Sequence, residues 1–397
     1  MDENENTSSK PGSFLKSQLE EAEETLLQTF SLNTALDFAI SKAKDSIEEL
    51  KTIHALLEET GESSADRAFA VAGKYGRQAS DYLSAVSEAV QAGYKNAGDI
   101  AGLSIAAQSA GDLSSELANR YIFETDKAYE LGGSVLKLTE LLDGCSAITD
   151  HNAISMTDLA ESMSSAASTS ASCGVGIAET TAALGTMIAA TGQDGQKAAE
   201  ALETILLHIR QISDEEAGID AEGLANYEAA CNALNVSLKE TRNGMSYLRD
   251  PVNVLRELSA EYNRLNDSDV RKKNLLDSLG SVPAATQFDA LLSQWDTYEQ
   301  MLAQYAGGTG SMAAQAETAV SSWEGSLGRL NNTWTATVGS IADSDAIVTA
   351  INLLNNLLST INKITGALGP FSSMGLFAGL FAGIKNVGKC RMSVRIS

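Results

Sequence analysis

His54, His151 and His208, with Cys145, Cys173, Cys231 and Cys390, are the residues of this 397-residue chain best suited to metal binding or nucleophilic chemistry. A zinc site needs such ligands at short, regular spacing, and these stand apart, with no HExxH and no CxxC. The window from Asp150 to Glu161 comes nearest to a cation loop, because Asp150, Asn152, Asp158 and Glu161 fall at positions one, three, nine and twelve of a calcium-binding loop. Ile154 then occupies the fifth position, and Ser155 stands where the turn requires glycine. Helix capping is the better account of Ser155 and Asp158, which have the form of a capping box with Asp in place of Glu. TGQDGQKA from Thr191 fails the spacing of a phosphate loop, GVG at Gly174 lacks the third glycine of a dinucleotide fingerprint, and no serine sits in GxSxG. The sequence therefore points to no catalytic, cofactor or metal site. The cysteines read as small core residues of a reducing compartment, and His54 as a buried neutral side chain.

The elements that would position any site are helical. Only 6% of the chain is aromatic and four residues are proline, while small residues and good helix formers dominate, which predicts an all-α protein. The expected architecture is an elongated multi-helix bundle with coiled-coil segments. Its length exceeds a single core, so two or three structural regions are expected. A formal net charge of −24 excludes a nucleic-acid-binding surface as the main activity and suits a basic partner.

Residues 1–12 read as a disordered tail, and MDENENTSSKPGS is the opposite of a basic, apolar secretory leader. Residues 13–61 read as N-terminal coiled-coil helices, with Leu36, Ile40, Ala43, Ile47, Leu50, His54 and Leu57 forming a heptad seam that Gly61 ends. Residues 62–306 form a helical core region, in which Tyr75, Tyr82, Tyr94 and Tyr121 fill gaps between Ala- and Gly-rich helices. Within it, helices break between Thr191 and Gly195, NVSLKETRNG is short and extended or irregular, and Asp250 before Pro251 starts a helix. A further helix starts at Ser268, and another runs from Pro283 to Gly307.

Residues 307–364 hold a long helix and an apolar partner. From Ser311 to Ile341 the apolar residues return every eleven positions: Met312, Trp323 and Trp334; Ala316, Leu327 and Val338; Ala319, Leu330 and Ile341. Eleven residues in three turns is about 3.67 per turn, so this stripe runs almost straight along a rod of roughly 45 Å. It is either one face of a helix in a globular bundle or a self-associating coiled strand whose job is length. Residues 365–397 differ again: Thr365 to Ile384 carries no charge, Gly375, Gly379 and Gly383 are spaced by four, and Lys385, Lys389, Arg391 and Arg395 follow. A membrane-inserting hairpin or helix, a glycine-zipper contact within an assembly, and a buried turn all fit that pattern.

The order of these pieces resembles the conserved region of the TP901 family of phage tail tape measure proteins, from roughly Leu36 to Ala306. The resemblance is carried by AKDSIEELKTIHALLEETG and KYGRQASDYLSAVSEAVQAG, by SMTDLAESMSSAASTSASCGVGIAETTAALGTMIAATGQDGQKAAEALETIL, and by NVLRELSAEYNRLNDSDVRKKNLLDSLG. It implies a non-enzymatic protein made in the bacterial host cytoplasm and packed in several copies in the virion tail lumen. There it would set tail length with the tail tube protein and assembly chaperones, and help the genome cross the host membrane. One fully helical chain of this length would span only roughly 600 Å, short for a ruler, and the ending NVGKCRMSVRIS is compatible with truncation. Two alternatives from other classes remain: a membrane-active pore former or effector, and a bacterial coiled-coil interaction protein.

Overall fold

The computed structural model describes residues 66–214 and 218–321, with parts of 48–59 and Thr335. These residues divide between two compact units, one from residues 1–87 and 320–397 and the other from 88–319. In order, the helices are α1 (Asp66–Lys74), α2 (Ala79–Gln91), α3 (Ala97–Gly111), α4 (Ser115–Ala128), α5 (Val135–His151), α6 (Met156–Ser172), α7 (Ile177–Thr191), α8 (Gly195–Ile209) and α9 (Ala221–Ala233). A hairpin of β1 (Lys239–Arg242) and β2 (Met245–Leu248) comes next. It is followed by α10 (Pro251–Arg264), α11 (Val270–Asp277), α12 (Val282–Ser293), α13 (Trp295–Gly307) and α14 (Ser311–Val320). The all-α multi-helix class is thus what the chain adopts.

In the first unit, the described part of 48–59 is helical and buries Glu49 and Ile53, while Leu57 of the predicted seam is half-buried. Glu49 receives the Ser80 amide at 2.9 Å and the Ser80 hydroxyl at 2.7 Å, so its carboxylate caps the first turn of α2. His54 and the seam positions from Leu36 to Leu50 lie outside the described residues.

In the second unit, α6 packs against α4, α7 and α8, α7 against α12 and α13, and α5 against α3 and α13. The buried face of α6 is Met156, Leu159, Ala160, Ser162, Met163, Ala166, Ala167 and Ser170. Five of these eight are Ala or Ser, so neighbouring backbones come close. At Gly195, the first residue of α8, a Cβ would lie 2.0 Å from the Asp158 carbonyl oxygen, so only glycine fits. Most helix starts in this unit are capped locally. Ser155 accepts the Asp158 amide at 3.0 Å, Asp194 accepts that of Lys197 at 3.0 Å, and Asp250 accepts that of Asn253 at 2.9 Å. The short Asp158 side chain meets the Ser155 hydroxyl at 2.5 Å, a variant of the capping box that Asp imposes.

Two expectations are corrected. The helix expected to start at Ser268 starts after Asp269, whose carboxylate accepts the Arg271 amide. The helix expected from Pro283 to Gly307 breaks at Gln294 into α12 and α13. In an unbroken helix the Leu292 carbonyl would receive the Asp296 amide; here it receives Ser259 Oγ at 2.7 Å and Asn263 Nδ2 at 2.8 Å from α10. Side chains inserted into the ladder open the helix there. NVSLKETRNG takes the extended alternative: it supplies strand β1 and the turn of a β-hairpin, with Lys239 opposite Leu248 and Arg242 opposite Met245. Asn243 and Gly244 both have positive φ, 52° and 78°, as a two-residue hairpin turn demands.

Candidate functional site

The residues with chemical potential are spent on structure. Cys145, Cys173 and Cys231 are buried free thiols, and burial pushes Cys145 and Cys231 up to about 12, so neither supplies a thiolate at neutral pH. The Cys145 sulfur meets the Tyr121 hydroxyl at 2.7 Å inside the core, and burial also raises that phenol well above its usual value. His208 is buried against the Tyr227 ring, its Nδ1 2.7 Å from the Thr204 carbonyl oxygen, and burial lowers its pKa. His151 is exposed, with Nδ1 2.8 Å from Ala147 O. Of the calcium-loop positions, Asn152 Nδ2 donates to Ile148 O and Gln304 Oε1, Asp150 accepts from Gln315, and Asp158 serves the α6 cap. Among the described residues no group of His, Cys, Asp and Glu is arranged to hold a metal ion.

What the fold does assemble is a junction between α5, the end of α13 and the start of α14. Ser134 caps α5, and its buried residues run from Leu138 to Ile148. Gly144 on that helix lies under the Tyr305 ring of α13, where a Cβ would come within 2.5 Å of the ring. One turn on, a Cβ at Gly308 would lie 2.6 Å from the Asp143 carbonyl oxygen and 2.9 Å from Ala147 Cβ. Two glycines from distant parts of the chain therefore bring the two backbones together. Gly310 then takes φ 85°, and its carbonyl accepts the amide of Ala314, the fourth residue of α14, at 3.1 Å.

Gly310 stands at the capping position of α14 and has no side chain to cap with. Asp143 supplies the missing carboxylate from α5. It is only 6% exposed, and it accepts the Gly310 amide at 2.8 Å and the Met312 amide at 3.1 Å. A carboxylate at the positive end of a helix satisfies amides that the helix itself cannot, and the helix dipole offsets its burial. Gln315 adds a second tie, its Nε2 donating to Ser146 O at 3.0 Å and to Asp150 Oδ1 at 2.5 Å.

This junction is where the eleven-residue stripe begins. Met312 is 6% exposed, Ala316 1% and Val320 7%, while Ala319 is half-buried, so the first positions of two of the rows are covered within the single chain. Trp323, Leu327, Leu330, Trp334, Val338 and Ile341 lie outside the described residues, as do Gly375, Gly379, Gly383 and Cys390. No described helix is long and apolar enough to cross a membrane. Sequence reasoning missed Asp143 altogether, although the glycines at 307, 308 and 310 marked the place where its carboxylate is needed. It also missed the exposed hairpin, on which Met245 is 61% and Tyr247 46% exposed, despite the Asn243-Gly244 signal.

Among the described residues the fold is almost all helix, its three described cysteines and His208 are buried in packing, and the junction of α5, α13 and α14 holds a helix, which is the character of a structural protein. The phage-related minor tail protein family matches the chain over residues 35–280, more than half its length, and the chain belongs to that family. It is a structural protein of a phage tail. No curated protein and no solved structure matches it. The family match covers the locally capped helices α4 to α6 and α8 to α11 and stops within the turn before α12, so α12, α13 and α14 lie beyond it.

Proposed function

We propose that this phage tail protein acts as a tape measure, as the resemblance to the TP901 type suggests. It is packed in several copies in the tail lumen, in contact with the tail tube protein and with assembly chaperones before that. The observation that carries this reading is the junction of α5, α13 and α14. There Asp143 holds the first turn of α14, the helix on which Met312 and Ala316 begin two of the apolar rows that repeat every eleven residues, in a chain of the phage-related minor tail protein family. A ruler needs a fixed end and a regular rod, and Asp143 with Gln315 provides the former. Self-association along Met312, Ala316, Ala319, Trp323, Leu327, Leu330, Trp334, Val338 and Ile341 supplies the rod. Genome delivery through the host membrane would draw on the uncharged segment with Gly375, Gly379 and Gly383.

Removing one unit, Trp323 to Thr333, keeps the helical phase and shortens the rod by about 16 Å. Tails assembled with this variant are expected to be shorter by that amount in electron micrographs. Unchanged tail length would remove the ruler role from this stretch.

A further inference from the structure

The face that opens the eleven-residue stripe is already occupied. Met312 and Ala316 begin two of its rows, and both are buried in the single chain. The amide of Met312 is tied to Asp143, and Gln315, on the same side of the helix, is tied to α5. The same side chains cannot also lie in a seam between copies. We infer that Asp143 and Gln315 form a latch that keeps the start of α14 docked on α5 in the isolated chain. A second copy of this chain competes for the released face. This inference rests on the self-association proposed above and adds its control.

Three features suit the contact to opening. The ties are few and polar: one carboxylate to two amides, and one amide side chain to α5. The glycines at 307, 308 and 310 supply swivels between α13 and α14 without breaking either helix. Met312 and Ala316, once uncovered, extend the rows that continue at Trp323 and Leu327 by one full repeat, so the burial lost on opening is regained against another copy. The net charge of −24 opposes association of closed chains, so contact between copies needs an uncovered apolar row to overcome it.

The test uses the full chain in sedimentation velocity over a thousandfold concentration range, with hydrogen exchange read on Ser311–Val320. Asp143→Asn keeps the shape and removes the charge, and Gln315→Ala removes the second tie without touching the first. Each is expected to speed exchange in α14 tenfold or more and to move self-association to at least tenfold lower concentration. Adding Ala316→Glu to Asp143→Asn is expected to reverse that gain. If α14 exchanges no faster in either variant, the latch is overturned. If the wild type associates as tightly as the variants and Ala316→Glu weakens both, self-association stands and the latch falls. If α14 is released yet every variant stays monomeric, the self-association itself is overturned, and the latch with it.

Discussion

Ser155 and Asp143 do the same work for two helices, α6 and α14, yet one cap lies three residues from the amide it serves and the other 169. The difference teaches where this protein is autonomous and where it is conditional. Helices α4 to α6 and α8 to α12 each carry a Ser or Asp at the N-cap whose side chain accepts an amide of their own first turn. Their starts are set by the local chain. Helix α14 has Gly310 in that position and borrows its cap from α5, so its first turn is complete only while the two remain together. In the other unit Glu49 caps α2 from 31 residues away in the same manner. The two remotely capped helices are thus α2 and α14, and the locally capped helices α4 to α6 and α8 to α12 lie between them in the chain.

That comparison can be broken at several points. The largest effect is expected at Gly195→Ala, because the added Cβ meets the rigid Asp158 backbone. About 3 kcal/mol of stability should be lost, with a fall in Tm for the whole unit of residues 88–319 read by circular dichroism. Next comes Asp143→Ala, which takes the acceptor from the Gly310 amide and from the buried Met312 amide and should cost about 2 kcal/mol. Its signature is locality: faster exchange in α14 with the melting of α6 to α8 unchanged. Ser155→Ala removes a local cap and should cost about 1 kcal/mol, seen as a lower midpoint in urea rather than as release of any one helix.

The smallest effect is one of pH, and its sign separates the two units. Burial lowers the His208 pKa below 6.5, so between those values the unfolded chain binds a proton that the folded chain refuses. Stability of the 88–319 unit from this source is complete above pH 6.5 and declines as the pH falls towards the folded value; His208→Gln should flatten that decline in thermal melts. Burial raises the Glu49 pKa above 4.5, which has the opposite sign: its contribution is complete below pH 4.5 and is lost as the pH rises through the folded value. Glu49→Gln should therefore remove a gain in α2 protection on mild acidification, measured by exchange in Ala79–Gln91.

What could be read in the sequence follows the same division. Ser155 with Asp158, Asp250 with Pro251, and the break from Thr191 to Gly195 announce themselves, because the groups that satisfy each helix end are its sequence neighbours. The break at Gln294 could not be read, since it is made by Ser259 and Asn263 from another helix reaching the Leu292 carbonyl. The site was half legible: the spacing of Met312 and Ala316 puts two buried residues of α14 on one side of the helix, while nothing around Asp143 marks it as a cap. A mid-helix aspartate between Leu142 and Gly144 looks like any solvated carboxylate until α14 is placed over it. The hairpin was legible in principle, because Asn243-Gly244 between KETR and MSYL is a turn with a required backbone geometry.

The central claim is that the start of α14 depends on a carboxylate from another part of the fold. Hydrogen exchange on the full chain, comparing Asp143→Ala with Ser155→Ala, tests it most directly. The account predicts that Asp143→Ala loses protection across Ser311–Val320 by tenfold or more while α6 to α8 keep theirs, and that Ser155→Ala leaves α14 protected. Equal protection of Ser311–Val320 in the wild type and in Asp143→Ala would contradict it.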